Sequence, residues 1–133
     1  MRLPWLSGTV ALLLLGGISW YLSPLKPGIL ALQLAFTPRA FGDIIHFWSA
    51  QDLARYRAHL LIDFGLILAY SVFGYSLSSQ TRVFSGLSRF WSAFARWCLP
   101  GAGALDVVEN VLHWWLTEVP RFGVPMVYAV SAS

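Results

Sequence analysis

The chain has 133 residues, of which 57% are hydrophobic and 11% charged, with a net charge of +3 and a pI near 9.4. A soluble domain carries about 25% charged residues, so a water-facing shell around one core is excluded, as are disordered and fibrous classes, and the single cysteine excludes a disulfide scaffold. The nine basic residues are scattered outside the long apolar runs, a pattern of interfacial anchors that points to a lipid bilayer as partner and away from nucleic acid.

Residues 3–22 form the first apolar run, about 20 residues long and sufficient to span a bilayer. Tyr21-Leu22-Ser23-Pro24 lacks the small-x-small cleavage pattern, so the run is predicted to be an uncleaved first helix and not a signal peptide. Gly16 and Gly17 predict a thin waist where another helix approaches. Trp20 and Tyr21 mark the headgroup level. Ser23-Pro24 and Lys26-Pro27-Gly28 end the helix.

The connection that follows contains a helix over about residues 38–49. Thr37-Pro38 supplies a hydroxyl cap and a first-turn proline. Phe41, Ile44, Ile45 and Trp48 make one apolar stripe at i, i+3, i+4, i+7, with Arg39, Asp43 and His46 off it. Such a helix lies in the membrane surface or caps the bundle. A polar turn over 51–57 leads into a second span at about 60–77. A third span follows at about 97–116, preceded by an interfacial stretch from Ser88 and framed by Pro100-Gly101. Gly101-Ala102-Gly103 predicts close helix packing. Trp91, Trp97, Trp114 and Trp115 read as an aromatic belt, and Cys98 as a small buried hydrophobe. The last segment, 122–133, covers roughly 18 Å as a helix against a bilayer of about 30 Å. It is expected to be a short re-entrant or truncated fourth helix.

Of the six acids, Asp63, Asp106 and Glu109 fall inside predicted spans. A carboxylate there costs about 2.5–3.5 kcal/mol on insertion scales. It must face the bundle interior with a partner or be protonated. Asp106, Glu109, Asn110 and His113 share one face of the third span at i, i+3, i+4, i+7. His59, Asp63 and Tyr70 share one face of the second. The two helices run antiparallel, so two polar rungs are expected: Asp63 with His113, and Tyr70 with Asp106 or Asn110. Glu109 falls between them.

Three roles fit this face. The first is a buried network that specifies helix register, with interhelical hydrogen bonds averaging about 0.6 kcal/mol. The second is a metal-dependent membrane enzyme, with His59, Asp63, Asp106, Glu109 and His113 as ligand types for a divalent metal. The Glu-x-x-x-His spacing misses the Glu-x-x-His pairs of di-metal bundles. The third is a proton or ion pathway, for which intramembrane acids and histidine are usual parts. Catalytic candidates for the last two are Asp63, Tyr70, Asp106, Glu109, Asn110 and His113. No nucleophile elbow, phosphate-cradling loop or cysteine-pair metal motif occurs, and no cofactor is expected.

Leu32-Gln33-Leu34-Ala35-Phe36-Thr37, Tyr56-Arg57-Ala58-His59-Leu60-Leu61-Ile62-Asp63-Phe64 with Tyr70, and Gly103-Ala104-Leu105-Asp106-Val107-Val108-Glu109-Asn110 are the most specific stretches. Together they resemble a family of small bacterial four-helix membrane proteins without assigned activity. The similarity covers most of the chain, and Leu-Asp-x-x-Glu-Asn is its sharpest element. Members usually continue the fourth helix with a Lys-containing end. The resemblance implies topology and a shared polar face at Asp63, Tyr70, Asp106, Glu109 and Asn110, and supplies no substrate. The expectation is therefore an all-α, multi-pass inner-membrane bundle. It forms a single domain with a structural or interaction role, as a homo-oligomer or with a partner membrane protein.

Overall fold

Five helices make up the regular structure of the residues that the computed structural model describes, 2–26 and 28–117. They are α1 (Leu3–Leu22), α2 (Ile29–Gln33), α3 (Pro38–Phe47), α4 (Ala50–Gln80) and α5 (Arg89–Leu116). Two of them, α1 and α4, are long and apolar enough to cross a membrane. The expected fourth segment, 122–133, lies outside the described residues.

Helix α1 occupies the predicted 3–22. It is apolar on every side, and the hydroxyls of Ser7 and Thr9 do not break that surface. Ser7 donates to the Leu3 carbonyl and Thr9 to the Trp5 carbonyl, each at 2.8 Å, so each hydroxyl is satisfied within its own helix. The C-terminal end of α1 has no cation of its own. Arg55 of α4 supplies one. Its Nη1 donates to the Tyr21 carbonyl at 3.0 Å, and its guanidinium lies 5.0 Å from the centre of the Tyr21 ring. A cation on an orphan carbonyl at the negative end of the helix dipole stabilises that end. Arg55 thus acts on protein as well as standing at a helix end, where lipid anchoring was expected.

Helix α3 begins as its sequence requires. Thr37 is extended, its hydroxyl accepts from the Ala40 N–H at 3.2 Å, and Pro38 takes the first turn. The helix ends at Phe47, because Trp48 leaves the helical region with ψ 142°. The apolar stripe is turned inward: Phe41 and Trp48 are buried.

Helix α4 starts ten residues before the predicted second span. Ser49 caps it by accepting from the Asp52 N–H at 3.1 Å, and Asp52 in the first turn favours the dipole. The first three turns are polar, so hydropathy marks the apolar section and not the helix start. The predicted turn over 51–57 is helix. Likewise α5 starts at Arg89 and not near 97, and it continues through Pro100, which removes one backbone N–H from its interior. Cys98, expected to be buried, is exposed on α5.

By contact, the chain divides into two compact units to which the long helices both contribute. Among the described residues, one is 2–17 with 63–107, the other 18–26 and 28–62 with 108–117. In the first, glycines mark close approach. A Cβ on Gly8 would meet the Phe73 ring at 2.9 Å, and one on Gly74 would meet Leu99 at 2.6 Å. Gly16, Gly17 and Gly101 have nothing within 4 Å. The thin waist of α1 is therefore at Gly8, about two turns before the pair predicted to form it. Ser78 ties α4 to α5, with its hydroxyl 2.9 Å from the Gly74 carbonyl and 3.0 Å from that of Ala95. The second unit gathers Leu22, Leu32, Phe41, Tyr56, Leu60 and Leu116 into its core.

Candidate functional site

In the first unit the expected middle rung is present. The Tyr70 hydroxyl donates to Oδ2 of Asp106, between α4 and α5, with both residues half-buried. Gly103 makes this contact possible. It lies one turn before Asp106, and a Cβ there would collide with the Ser71 hydroxyl, approach Ile67 to 3.2 Å and the Tyr70 hydroxyl to 3.5 Å. A side chain at 103 would hold the helices too far apart for Tyr70 to reach. Asp63, also half-buried, lies seven residues before Tyr70 on the same face of α4. Tyr70 also lines an apolar groove of about 630 Å³ with Trp5, Leu12, Leu66 and Phe73.

In the second unit, His113 has a partner that the sequence reasoning did not select. Its Nδ1 shares a hydrogen bond with the Tyr56 hydroxyl. Nδ1 of His59 is bonded to the Tyr56 carbonyl and must carry the proton there. Tyr56, His59 and His113 are all at least 95% buried. Aromatic rings wall the cluster. Trp48 lies 5.3 Å from Tyr56, His59 lies 4.8 Å from it, and Phe41 meets His113 edge-on at 5.7 Å. The Thr117 hydroxyl donates to the His113 carbonyl at 2.7 Å. Asn110 is buried in this unit, Glu109 is half-buried, and neither is without a partner.

Tyr56 was passed over because it falls in a stretch that reads as a polar turn. The signal was available: Tyr56, His59, Leu60 and Asp63 sit at i, i+3, i+4, i+7, one continuous helical stripe. The lower rung, drawn from Asp63 to His113, thus has Tyr56 on the histidine's Nδ1. Of the tryptophans read as an aromatic belt, Trp114 has the Arg57 guanidinium 4.6 Å above its ring, and Trp91 and Trp97 are exposed.

The metal candidates named from the sequence were His59, Asp63, Asp106, Glu109 and His113. Among the described residues, no three histidine, cysteine, aspartate or glutamate side chains gather in a geometry that could hold a metal ion. Both imidazoles already commit Nδ1 to protein. The arrangement can share protons within pairs and pin helices, and it offers no converging ligand set.

The Tyr56–His113 bond has a measurable weight. Tyr56→Phe leaves a buried imidazole nitrogen without its partner, which costs about 1–3 kcal/mol. Thermal unfolding in detergent is expected to fall accordingly. Tyr75→Phe, at an exposed ring outside this cluster, is expected to leave the midpoint unchanged. Equal midpoints for the two variants would contradict the assignment.

No protein-family model matches the chain, and no match is found among curated proteins or solved structures.

Proposed function

We propose that the chain is a multi-pass inner-membrane protein whose internal polar residues specify helix packing, with a structural or interaction role. One observation carries this reading. The apolar windows of α1 and α4 are only 11% and 28% buried, whereas a core helix of a soluble protein buries most of its apolar surface. Trp5, Leu12, Leu13, Leu61 and Leu68 all stand exposed, an apolar area that water does not tolerate and hydrocarbon does. The polar groups on the same helices are paired inside. Helix α5 serves as the third span, with Asp106 satisfied by Tyr70. The resemblance to small four-helix membrane proteins favours the same topology, and the exposed apolar faces favour assembly with a second copy or another membrane protein.

Alkaline carbonate extraction of membranes carrying the full chain tests the location. The protein is expected in the pellet, and release into the supernatant would overturn the reading. The role is tested by Asp106→Asn with Glu109→Gln in one chain. A changed unfolding midpoint with an intact cellular phenotype is expected. Normal folding with complete loss of phenotype would assign chemistry to these carboxylates.

A further inference from the structure

The segment between Asp63 and Asp106 contains no acidic residue, yet it holds Arg82, Arg89 and Arg96. Two of these arginines share one side of α5. Arg89, Ser92, Ala93 and Arg96 fall at i, i+3, i+4, i+7 and, with Leu87, line a shallow groove of about 400 Å³. Among the described residues, neither guanidinium has an ion-pair partner. The other side of the same three turns is aromatic and open: Phe90, Trp91, Phe94 and Trp97 are each more than half exposed. They form a chain of edge contacts, with Phe90 to Trp91 at 5.3 Å and Trp91 to Phe94 at 5.8 Å. Trp97 packs edge-on to Tyr75 at 5.4 Å.

We propose that the first three turns of α5 form a binding face for an anionic phospholipid, with Arg89, Ser92 and Arg96 holding its phosphate. The chemistry on each side fits one occupant. Guanidinium groups bind phosphate oxygens through a planar fork, and the Ser92 hydroxyl between them, which donates to the Leu87 carbonyl at a long 3.4 Å, adds a donor when it turns to the phosphate. Trp and Phe beside them belong at the headgroup level, with rings in the acyl boundary. A basic helix side opposite a side of exposed aromatic rings sets these turns at the headgroup level, rings toward the acyl boundary and arginines toward the phosphate of an anionic lipid. A soluble polyanion would leave the four rings uncovered. This proposal rests on the membrane location and adds lipid selectivity to it.

The test is lipid enrichment around the full chain in nanodiscs of phosphatidylcholine and phosphatidylglycerol, read by the lipids retained on native mass spectrometry. Wild type is expected to retain phosphatidylglycerol over phosphatidylcholine. Arg89→Gln with Arg96→Gln is expected to cut that preference about thirtyfold, since each arginine near an anionic surface contributes about 1 kcal/mol. Arg2→Gln with Arg39→Gln lowers net charge equally and is expected to keep it. Equal loss in both double variants would assign the effect to overall charge and overturn the site. Absence of enrichment in wild type would overturn it too, as would binding of inorganic phosphate at Arg89 and Arg96 without lipid selectivity. Incorporation into phosphatidylcholine-only discs reports the membrane reading separately, so failure of location and failure of selectivity are distinguishable.

Discussion

Gly74→Ala is expected to unfold at a lower midpoint than Gly101→Ala, by an amount equivalent to about 1–3 kcal/mol, the usual range for overpacking. Both changes replace glycine by alanine inside a helix, so the gain in helix propensity, up to about 1 kcal/mol, is common to both and cancels. What differs is the space. A Cβ on Gly101 meets nothing within 4 Å, whereas one on Gly74 would lie 2.6 Å from both Cβ and Cδ1 of Leu99. Cδ1 can rotate away. Cβ moves only with the backbone of α5, so relief requires α4 and α5 to part. Parting them stretches the Ser78 contact to the Ala95 carbonyl, one turn along α4. Thermal or detergent unfolding of the two variants checks this. Matching midpoints would mean that α4 and α5 do not approach at Gly74 as described.

The contrast between these glycines shows what a sequence can and cannot carry. Glycine in an apolar helix signals a possible close approach, but the signal does not say which glycine is used. Gly16-Gly17 is the conspicuous pair, yet Gly8, Gly74 and Gly103 carry the contacts. That choice depends on the facing residue, here Phe73, Leu99 or Ser71, which no local pattern reveals. Helix α1 was legible to its ends because its apolar run and the helix coincide. Helix α3 was legible at its start because Thr37-Pro38 is a local chemical signal. The starts of α4 and α5 were not: the first turns of α4 are helical in backbone and largely polar in composition, and those of α5 mix arginines with aromatic rings, so neither continues an apolar run. Tyr56 was hidden for the same reason. The Tyr70–Asp106 pair was legible because two facts converge: an intramembrane carboxylate needs a partner, and antiparallel helices put positions 70 and 106 level.

That pair yields the second large effect, and it is an asymmetry. Tyr70→Phe is expected to destabilise the chain by about 1–3 kcal/mol, the range for an acceptor left unpaired, with the half-buried setting of Asp106 offsetting the effect of its charge. Tyr70→Phe combined with Asp106→Leu is expected to recover most of that loss, since removing both partners removes the orphaned group. The pair itself adds little net stability, because interhelical polar contacts average about 0.6 kcal/mol in membranes. Its larger effect is to penalise every arrangement in which Asp106 lacks Tyr70. A register slip of one residue on α5 would turn Asp106 by about 100° and swing the carboxylate away from the phenol. A double-mutant cycle on Tyr70 and Asp106, read by unfolding in detergent, measures the coupling directly. Additive single effects would show that the hydrogen bond does not couple α4 to α5. A strong coupling, with the double variant folded and still in the membrane, would mark the pair as a register lock, and would locate any remaining chemistry of this chain elsewhere on its polar face.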